Sequence, residues 1–430
     1  MIEHIRYWFW PFFVAVYPWV FVVGRPHSPY LSYLEHYVFT AIMLFLWLLL
    51  NFNALMVPRQ QWGASLTKYK PVLLALLFGV WVLVSSAFSP NPIVSLTGNI
   101  NTLRGSAIFI FILSLVFAAV YFDVTRGKLA FLRVYWSLIA SASLFSVFAF
   151  FELFRGQGFF YATTTPYPVV LFPGPGHLAG FLSMAIGVLS GLWSTLTLPA
   201  LFLLALGLGM TFNRTSLGAS TLAVLLNSAR PWAHRILLII VLFAGVVGGW
   251  RAVEYISGQG RNDFIKATTM EERYAYWRIA RNGILQRPIF GWGGGQISSH
   301  LSTVADERDL RTYLFTPSEE AEGKILYANG DFFTVEYPDG RRENKFVVDW
   351  APHNFILDIA LSWGIIGLVI YLLLLIPALF PALSGSPAAL GLLSYHAFLF
   401  LWPSTIEAVG VLWVLWSIAS AERITASAGK

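Results

Sequence analysis

The chain is a succession of long apolar runs cut by short punctuation of proline, turn residues and charge. Such runs lie near residues 6–23, 34–55, 71–88, 105–122, 131–153, 175–194, 197–212, 215–228, 235–250, 354–376, 386–402 and 407–421. A helix needs about 20 mostly apolar residues to cross a bilayer, so the pattern predicts an all-α polytopic membrane protein with about twelve spans. The first run has no small-residue cleavage site behind a short apolar core, and is read as a retained span.

The pattern changes between the ninth and tenth runs, dividing the chain into 1–250 (spans one to nine), a large loop over 251–352, and 353–430 (spans ten to twelve and a tail). The loop holds 15 of the 22 acidic residues, which marks it as the soluble piece. Within TMEERYAYWRIARNGILQRP, Tyr276, Ile279, Ala280 and Ile284 recur at helical spacing, and Arg287-Pro288 stops the helix. Arg273, Arg278 and Arg281 decorate it, which predicts an amphipathic helix along the membrane interface. In FGWGGGQ, glycines 291, 293, 294 and 295 suit a tight turn or a close backbone approach to a ligand; no lysine and no preceding strand support a phosphate loop. KILYANGDFFTVEYPDGRRENKFVVDW alternates and is punctuated by Asn329-Gly330 and Asp339-Gly340, predicting a small three-stranded β-meander.

Composition agrees with the membrane reading: 57% hydrophobic, 17% aromatic, 12% charged, and a mean hydropathy of +0.65. Basic residues then set orientation. Arg59, Lys68 and Lys70, then Arg126, Lys128 and Arg133, then Arg230 and Arg235, and finally Arg423 and Lys430 fall on one face, taken as cytoplasmic. Single arginines at 25, 104 and 155 fall on the other, as does the large loop. The net charge of +6 is thus topological, and nucleic acid is not an expected partner. Without cysteine, disulfides and thiolate chemistry are excluded. Parity requires residues 175–228 to form three spans, the last two being short helices that meet at TFNRTS and leave Arg214 below the outer membrane surface. An arginine at the bilayer centre costs about 2.5–3.5 kcal/mol on insertion scales, so Arg214 either snorkels to the interface or faces protein, water or an anion.

His353 and Asn354 directly precede the tenth run in WAPHNFILDIALSWG, placing them on the same outer side as Arg214 and Arg273. Together TFNRTSLGASTLAV, ERYAYWRIARNGILQRPIFGWGGGQ and PHNFILDIALSWGIIGL resemble the O-antigen ligase and O-antigen polymerase superfamily of bacterial envelope glycosyltransferases, over roughly residues 175–375. The marks are Arg273 with Trp277, the Pro288, Gly291 and Gly293 spacing, and His353-Asn354 with Gly364 and Gly367. Asn213, Glu272 and Ser362 depart from the common pattern.

The resemblance implies a GT-C-like fold in the bacterial inner membrane and transfer of a glycan from undecaprenyl diphosphate at the periplasmic face. It implies no cofactor, nucleotide sugar or metal. The acceptor would be a lipid A-core sugar hydroxyl in a ligase, or a second lipid-linked repeat unit in a polymerase; the ligase is favoured. Arg214 and Arg273 would hold the diphosphate, since arginine stays protonated and offers planar donors to phosphate. His353 would take or orient the acceptor proton. Asn354 would hold sugar or cap the helix that starts there. His177, Arg104, Arg155 and Arg278 are further candidates for contacting substrate. ADERD, with Asp306, Glu307 and Asp309, reads as a solvated loop face and not a metal site. His396, inside the eleventh run, reads as a bundle-facing hydrogen-bonding residue. A transporter should show ionisable groups near span centres and repeat symmetry; apart from His396 neither is evident.

Overall fold

The structure is a computed structural model and describes residues 2–20, 32–56, 66–98, 105–158, 167–258, 270–315, 319, 323–347 and 350–428. It is mostly helical. In chain order the helices are α1 (Ile2–Val16), α2 (Ser32–Met56), α3 (Leu66–Ala87), α4 (Pro92–Thr97), α5 (Ala107–Thr125), α6 (Phe131–Arg155), α7 (Pro175–Gly191) and α8 (Thr197–Met210). They continue as α9 (Arg214–Leu226), α10 (Trp232–Ser257), α11 (Met270–Gln286), α12 (Leu301–Val304), α13 (Glu307–Leu314), α14 (Phe355–Leu379), α15 (Pro387–Leu399) and α16 (Ile406–Ala428).

Each predicted apolar run contains a helix. Among the described residues six helices are long and apolar enough to cross a membrane: Leu34–Phe52, Lys68–Ala87, Ala107–Thr125, Phe131–Arg155, Trp232–Ser257 and Phe355–Ala382. Helices α7, α8 and α15 are apolar but shorter. The first run forms its helix earlier than predicted and tightens into a 3-10 turn at Tyr17–Trp19, where Pro18 cannot donate to a continuing helix.

The chain divides into two compact units. The first comprises residues 1–77, 112–261 and 372–430. Its helices approach closely through small residues, the usual device where no hydrophobic force separates protein from lipid. A Cβ on Gly209 would lie 2.2 Å from the Val246 carbonyl, and one on Gly249 would lie 2.3 Å from that of Leu206, so α8 and α10 pack backbone to backbone. Between α7 and α15, Ser183 and Ser394 pair their hydroxyls at 2.7 Å and Gly187 meets the Leu390 carbonyl. His396 is buried on α15, its Nδ1 2.9 Å from the Leu392 carbonyl and its ring edge-on to Trp416, in keeping with the bundle-facing role expected of it.

The second unit, residues 78–111 and 262–371, has its own core. Ile279 and Ala280 of α11 pack with Trp292, Leu301, Leu310, Leu314, Phe333, Val335 and Trp350, joined by Tyr276, Ile284 and Leu357 at the edge. The apolar stripe read for a membrane interface is therefore covered by this core, because the meander and the α12–α13 segment fold back onto it. The meander forms as predicted: β1 (Lys324–Asn329), β2 (Phe332–Glu336) and β3 (Arg342–Phe346), antiparallel in the order β1-β2-β3. Gly330 and Gly340 adopt φ of 63° and 80° in the two turns, values that favour glycine.

Candidate active site

Between the meander and α14, three residues mark the point where the chemistry is expected: Trp350, His353 and Asn354. Trp350 is buried and donates its backbone N–H to Ser298 Oγ at 2.9 Å, tying the incoming chain to the core. Asn354 begins α14: its Oδ1 accepts from the N–H groups of Ile356 (3.0 Å) and Leu357 (3.2 Å), satisfying two of the orphan donors of a helix start. Between them, half-buried His353 has φ of 52°, a left-handed conformation that costs a non-glycine residue about 1–3 kcal/mol and persists only where its surroundings impose it. Here the Tyr276 ring stacks on the imidazole, centroids 5.4 Å apart and planes 22° from parallel. Tyr276 is held in turn by Tyr313 (5.7 Å) and Trp350 (6.0 Å).

Arg273 lies one helical turn before Tyr276, hence on the same face of α11. It is half-buried, and that burial draws its pKa down, opposed by the neighbouring Tyr276 and Glu272 side chains; a guanidinium is still protonated at neutral pH. Burial also raises Tyr276 above the usual tyrosine range, reinforced by Tyr313 and Glu272, so its hydroxyl keeps its proton. Glu272 is likewise raised by burial, with Arg273 opposing. The structure thus brings Arg273 and His353 to one tyrosine. Tyr276 was visible in the sequence only as part of an apolar stripe; its spacing of three from Arg273 was the available signal.

Arg278 belongs to the same helix but is engaged otherwise. Its Nε donates to Asp309 Oδ1 at 2.8 Å, and the Asp309 side chain is wholly buried. The reading of ADERD as a solvated face is therefore corrected: Asp309 is an internal ion-pair partner, and Asp306 caps α13 by accepting from the Asp309 N–H at 2.8 Å. The sequence hid this because the partners are 31 residues apart.

Of the two uses entertained for the glycine run the tight turn forms, with φ of 66°, 88° and 67° at Gly291, Gly293 and Gly295. Helix α14 is broken at Gly364 (φ 72°, ψ 176°). The break frees the carbonyls of Leu361 and Ser362, which accept from Trp292 N and Gly293 N at 2.9 Å each, while Ile365 N donates to the Pro288 carbonyl at 2.8 Å. Glycine is required on both sides: a Cβ on Gly364 would lie 1.8 Å from the Ile289 carbonyl oxygen, and one on Gly291 2.6 Å from that of Leu361. The close approach is to the chain's own backbone.

The remaining candidates lie in the first unit, apart from Arg104, which falls outside the described residues. Asn213 Oδ1 caps α9 by accepting from Ser216 N at 2.9 Å, and Arg214 is the exposed first residue of that helix, at the predicted junction. Phe212, just before, is left-handed (φ 54°) and contacts Tyr167 and Trp250. His177 lies in the first turn of α7, edge-on to Trp402 at 6.1 Å. Arg155 is exposed in the last turn of α6, one turn beyond buried Glu152, whose Oε2 accepts from Val169 N and Val170 N and so holds a second left-handed residue, Val170 (φ 53°).

A mostly helical chain with membrane-length apolar helices has the features of a membrane protein, and its compact second unit gathers an arginine and a histidine around one tyrosine. Residues 199–372 match the family described as O-antigen ligase, which supports the resemblance to the O-antigen ligase and polymerase superfamily. The match supports a membrane glycosyltransferase of ligase or polymerase type in general. The matched stretch contains Arg214, Arg273, Arg278, His353 and Asn354 and leaves out Arg104, Arg155 and His177. A search of the curated proteins returns no match.

Proposed function

We propose that the protein is an O-antigen ligase-type transferase that moves a glycan from undecaprenyl diphosphate to a lipid A-core sugar hydroxyl, without a metal. The observation that carries the reading is the stacking of Tyr276 on His353, one turn from Arg273, inside a stretch matching the family. In the reaction the acceptor oxygen bonds to the anomeric carbon, the bond from that carbon to the diphosphate breaks, and negative charge grows on the leaving phosphate oxygens. Arg273 and Arg214 answer that charge, Arg214 with the help of its helix N-terminus. Fixed donors aimed at developing charge contribute roughly 3–4 kcal/mol each when well placed. His353 accepts or orients the acceptor proton, and Tyr276 keeps the imidazole in position. Asn354 acts as the helix cap that fixes His353. Arg278 serves the core through Asp309 instead of touching substrate. Arg155 and His177 are assigned to the lipid headgroup region.

In this reading the chain has about twelve spans in the bacterial inner membrane, with residues 251–352 and the site facing the periplasm. A polymerase, which would use a second lipid-linked repeat unit as acceptor, is the alternative. Purified protein given its lipid-linked glycan with either lipid A-core or further lipid-linked repeat separates the two by product size. Transfer to lipid A-core is expected; products that lengthen only on the lipid carrier would identify a polymerase, and no transfer to either would overturn the reading.

A further inference from the structure

The sheet of the second unit has two faces of opposite character. Phe333 and Val335 are fully buried in the core. The other face is open, with Tyr327 52% and Phe346 66% exposed. Register places three rows across it: Asn329, Phe332 and Phe346; then Tyr327, Thr334 and Asn344; then Lys324, Glu336 and Arg342. The rings form a continuous ledge, Phe332 lying 4.8 Å from Phe346 and 6.0 Å from Tyr327. Polar groups between them are already oriented: Asn329 Nδ2 donates to Tyr327 Oη at 3.3 Å and Thr334 Oγ1 donates to Asn344 Oδ1 at 3.0 Å.

At the charged end of this face a pocket of about 480 Å³ opens, lined among others by Arg311, Lys324, Glu336 and Tyr337. Its wall carries Arg311 and Lys324 beside a single acid, Glu336, which is neutralised by Arg342 at 2.8 Å. Arg311 pairs with Glu307 at 3.9 Å, one turn away on α13.

We propose that this face binds an anionic oligosaccharide. Sugar rings stack on Tyr327, Phe332 and Phe346, their hydroxyls meet Asn329, Thr334 and Asn344, and a phosphate or carboxylate substituent enters the pocket beside Arg311 and Lys324. A sugar ring has an apolar C–H face and a hydroxyl rim, so its complement interleaves aromatic and amide groups. A membrane-seeking face would instead keep an unbroken apolar band flanked by Lys and Arg. The aromatic row lies at the end of β3 from which the chain leaves for His353, seven residues from Phe346 and so within about 25 Å of it. That the oligosaccharide is the acceptor core rests on the ligase reading above.

The test uses the full chain in nanodiscs and deacylated lipid A-core oligosaccharide from the host bacterium, titrated by calorimetry. Saturable binding is expected, weakened at least fivefold in a Tyr327→Ala, Phe346→Ala double variant and in Lys324→Glu, retained in Phe346→Trp, and weaker for dephosphorylated oligosaccharide. Equal affinity of wild type and the double alanine variant, at unchanged melting temperature, overturns the proposal. A Phe346→Cys variant, clean because the chain has no cysteine, carries an environment-sensitive dye. Its response to oligosaccharide is expected, and quenching by brominated lipid would identify a membrane contact instead. Failure of wild-type transfer with binding intact would sink the ligase reading and leave this face standing; the reverse result would sink this inference alone.

Discussion

At the residue scale the stacked pair Tyr276–His353 makes the sharpest claims. If His353 handles the acceptor proton, His353→Ala keeps donor binding and loses transfer by about a hundredfold or more, the range for a removed general base. Arg273→Lys keeps a charge and loses the planar fork, so its defect is expected in donor affinity. Binding of lipid-linked donor measured beside single-turnover transfer distinguishes these, and wild-type transfer by His353→Ala would reduce His353 to the polar start of a helix. Tyr276→Leu removes the ring that holds the imidazole at a left-handed backbone position; a fall on the order of tenfold to a hundredfold is expected, the scale of a small misplacement, with Tyr276→Phe near wild type. A different residue pair governs stability. Arg278→Ala strands the buried Asp309 carboxylate and should cost about 3 kcal/mol, read as faster proteolysis of 262–347 in the intact protein, while Asp309→Asn paired with Arg278→Met restores much of it. The helix starts beside which Arg273, Arg214 and His353 stand were legible from the sequence, because local punctuation marks each. The Arg278–Asp309 pair was not, since one charge's burial depends on a partner that the local pattern does not specify.

At the element scale, periodicity and turn chemistry carried most of the information. Apolar runs located helices, and Asn-Gly and Asp-Gly located both turns of the meander, because each follows from local backbone preference. The break in α14 did not show. Residues on both sides of Gly364 are apolar and helix-compatible, and the break exists because another segment, Pro288 to Gly293, supplies its missing hydrogen-bond partners. That dependence is testable. Gly364→Ala would need a left-handed alanine and would drive its Cβ into the Ile289 carbonyl, so a loss of at least about 3 kcal/mol and little folded protein are expected. The Asn354 cap behaves more mildly: Asn354→Ala should cost about 1 kcal/mol, and Asn354→Ser should recover both stability and transfer. Loss of transfer in Asn354→Ser with stability intact would return Asn354 to the sugar-holding role.

At the scale of the whole molecule, the proposed chemistry depends on which side of the membrane the second unit faces. Residues 262–351 follow α10, and the basic residues at the start of that helix, Arg230 and Arg235, set the expected sense. Arg235 is spent at the helix start, donating to the carbonyls of Arg230 and Leu225, and Arg230 reaches the Gly191 carbonyl. These arginines therefore also stitch the ends of α7, α9 and α10 together, so moving them across the membrane would cost that network as well as charge. The absence of native cysteine makes the test clean. Ser302→Cys, in the short helix α12, should react with a membrane-impermeant maleimide once the outer membrane alone is opened, whereas a cysteine at Lys128, between α5 and α6, should react only after the inner membrane is permeabilised. The opposite pattern would put His353 and Arg273 in the cytoplasm. A lipid-linked glycan presented outside could not reach them there, and the transfer mechanism would fall with the topology.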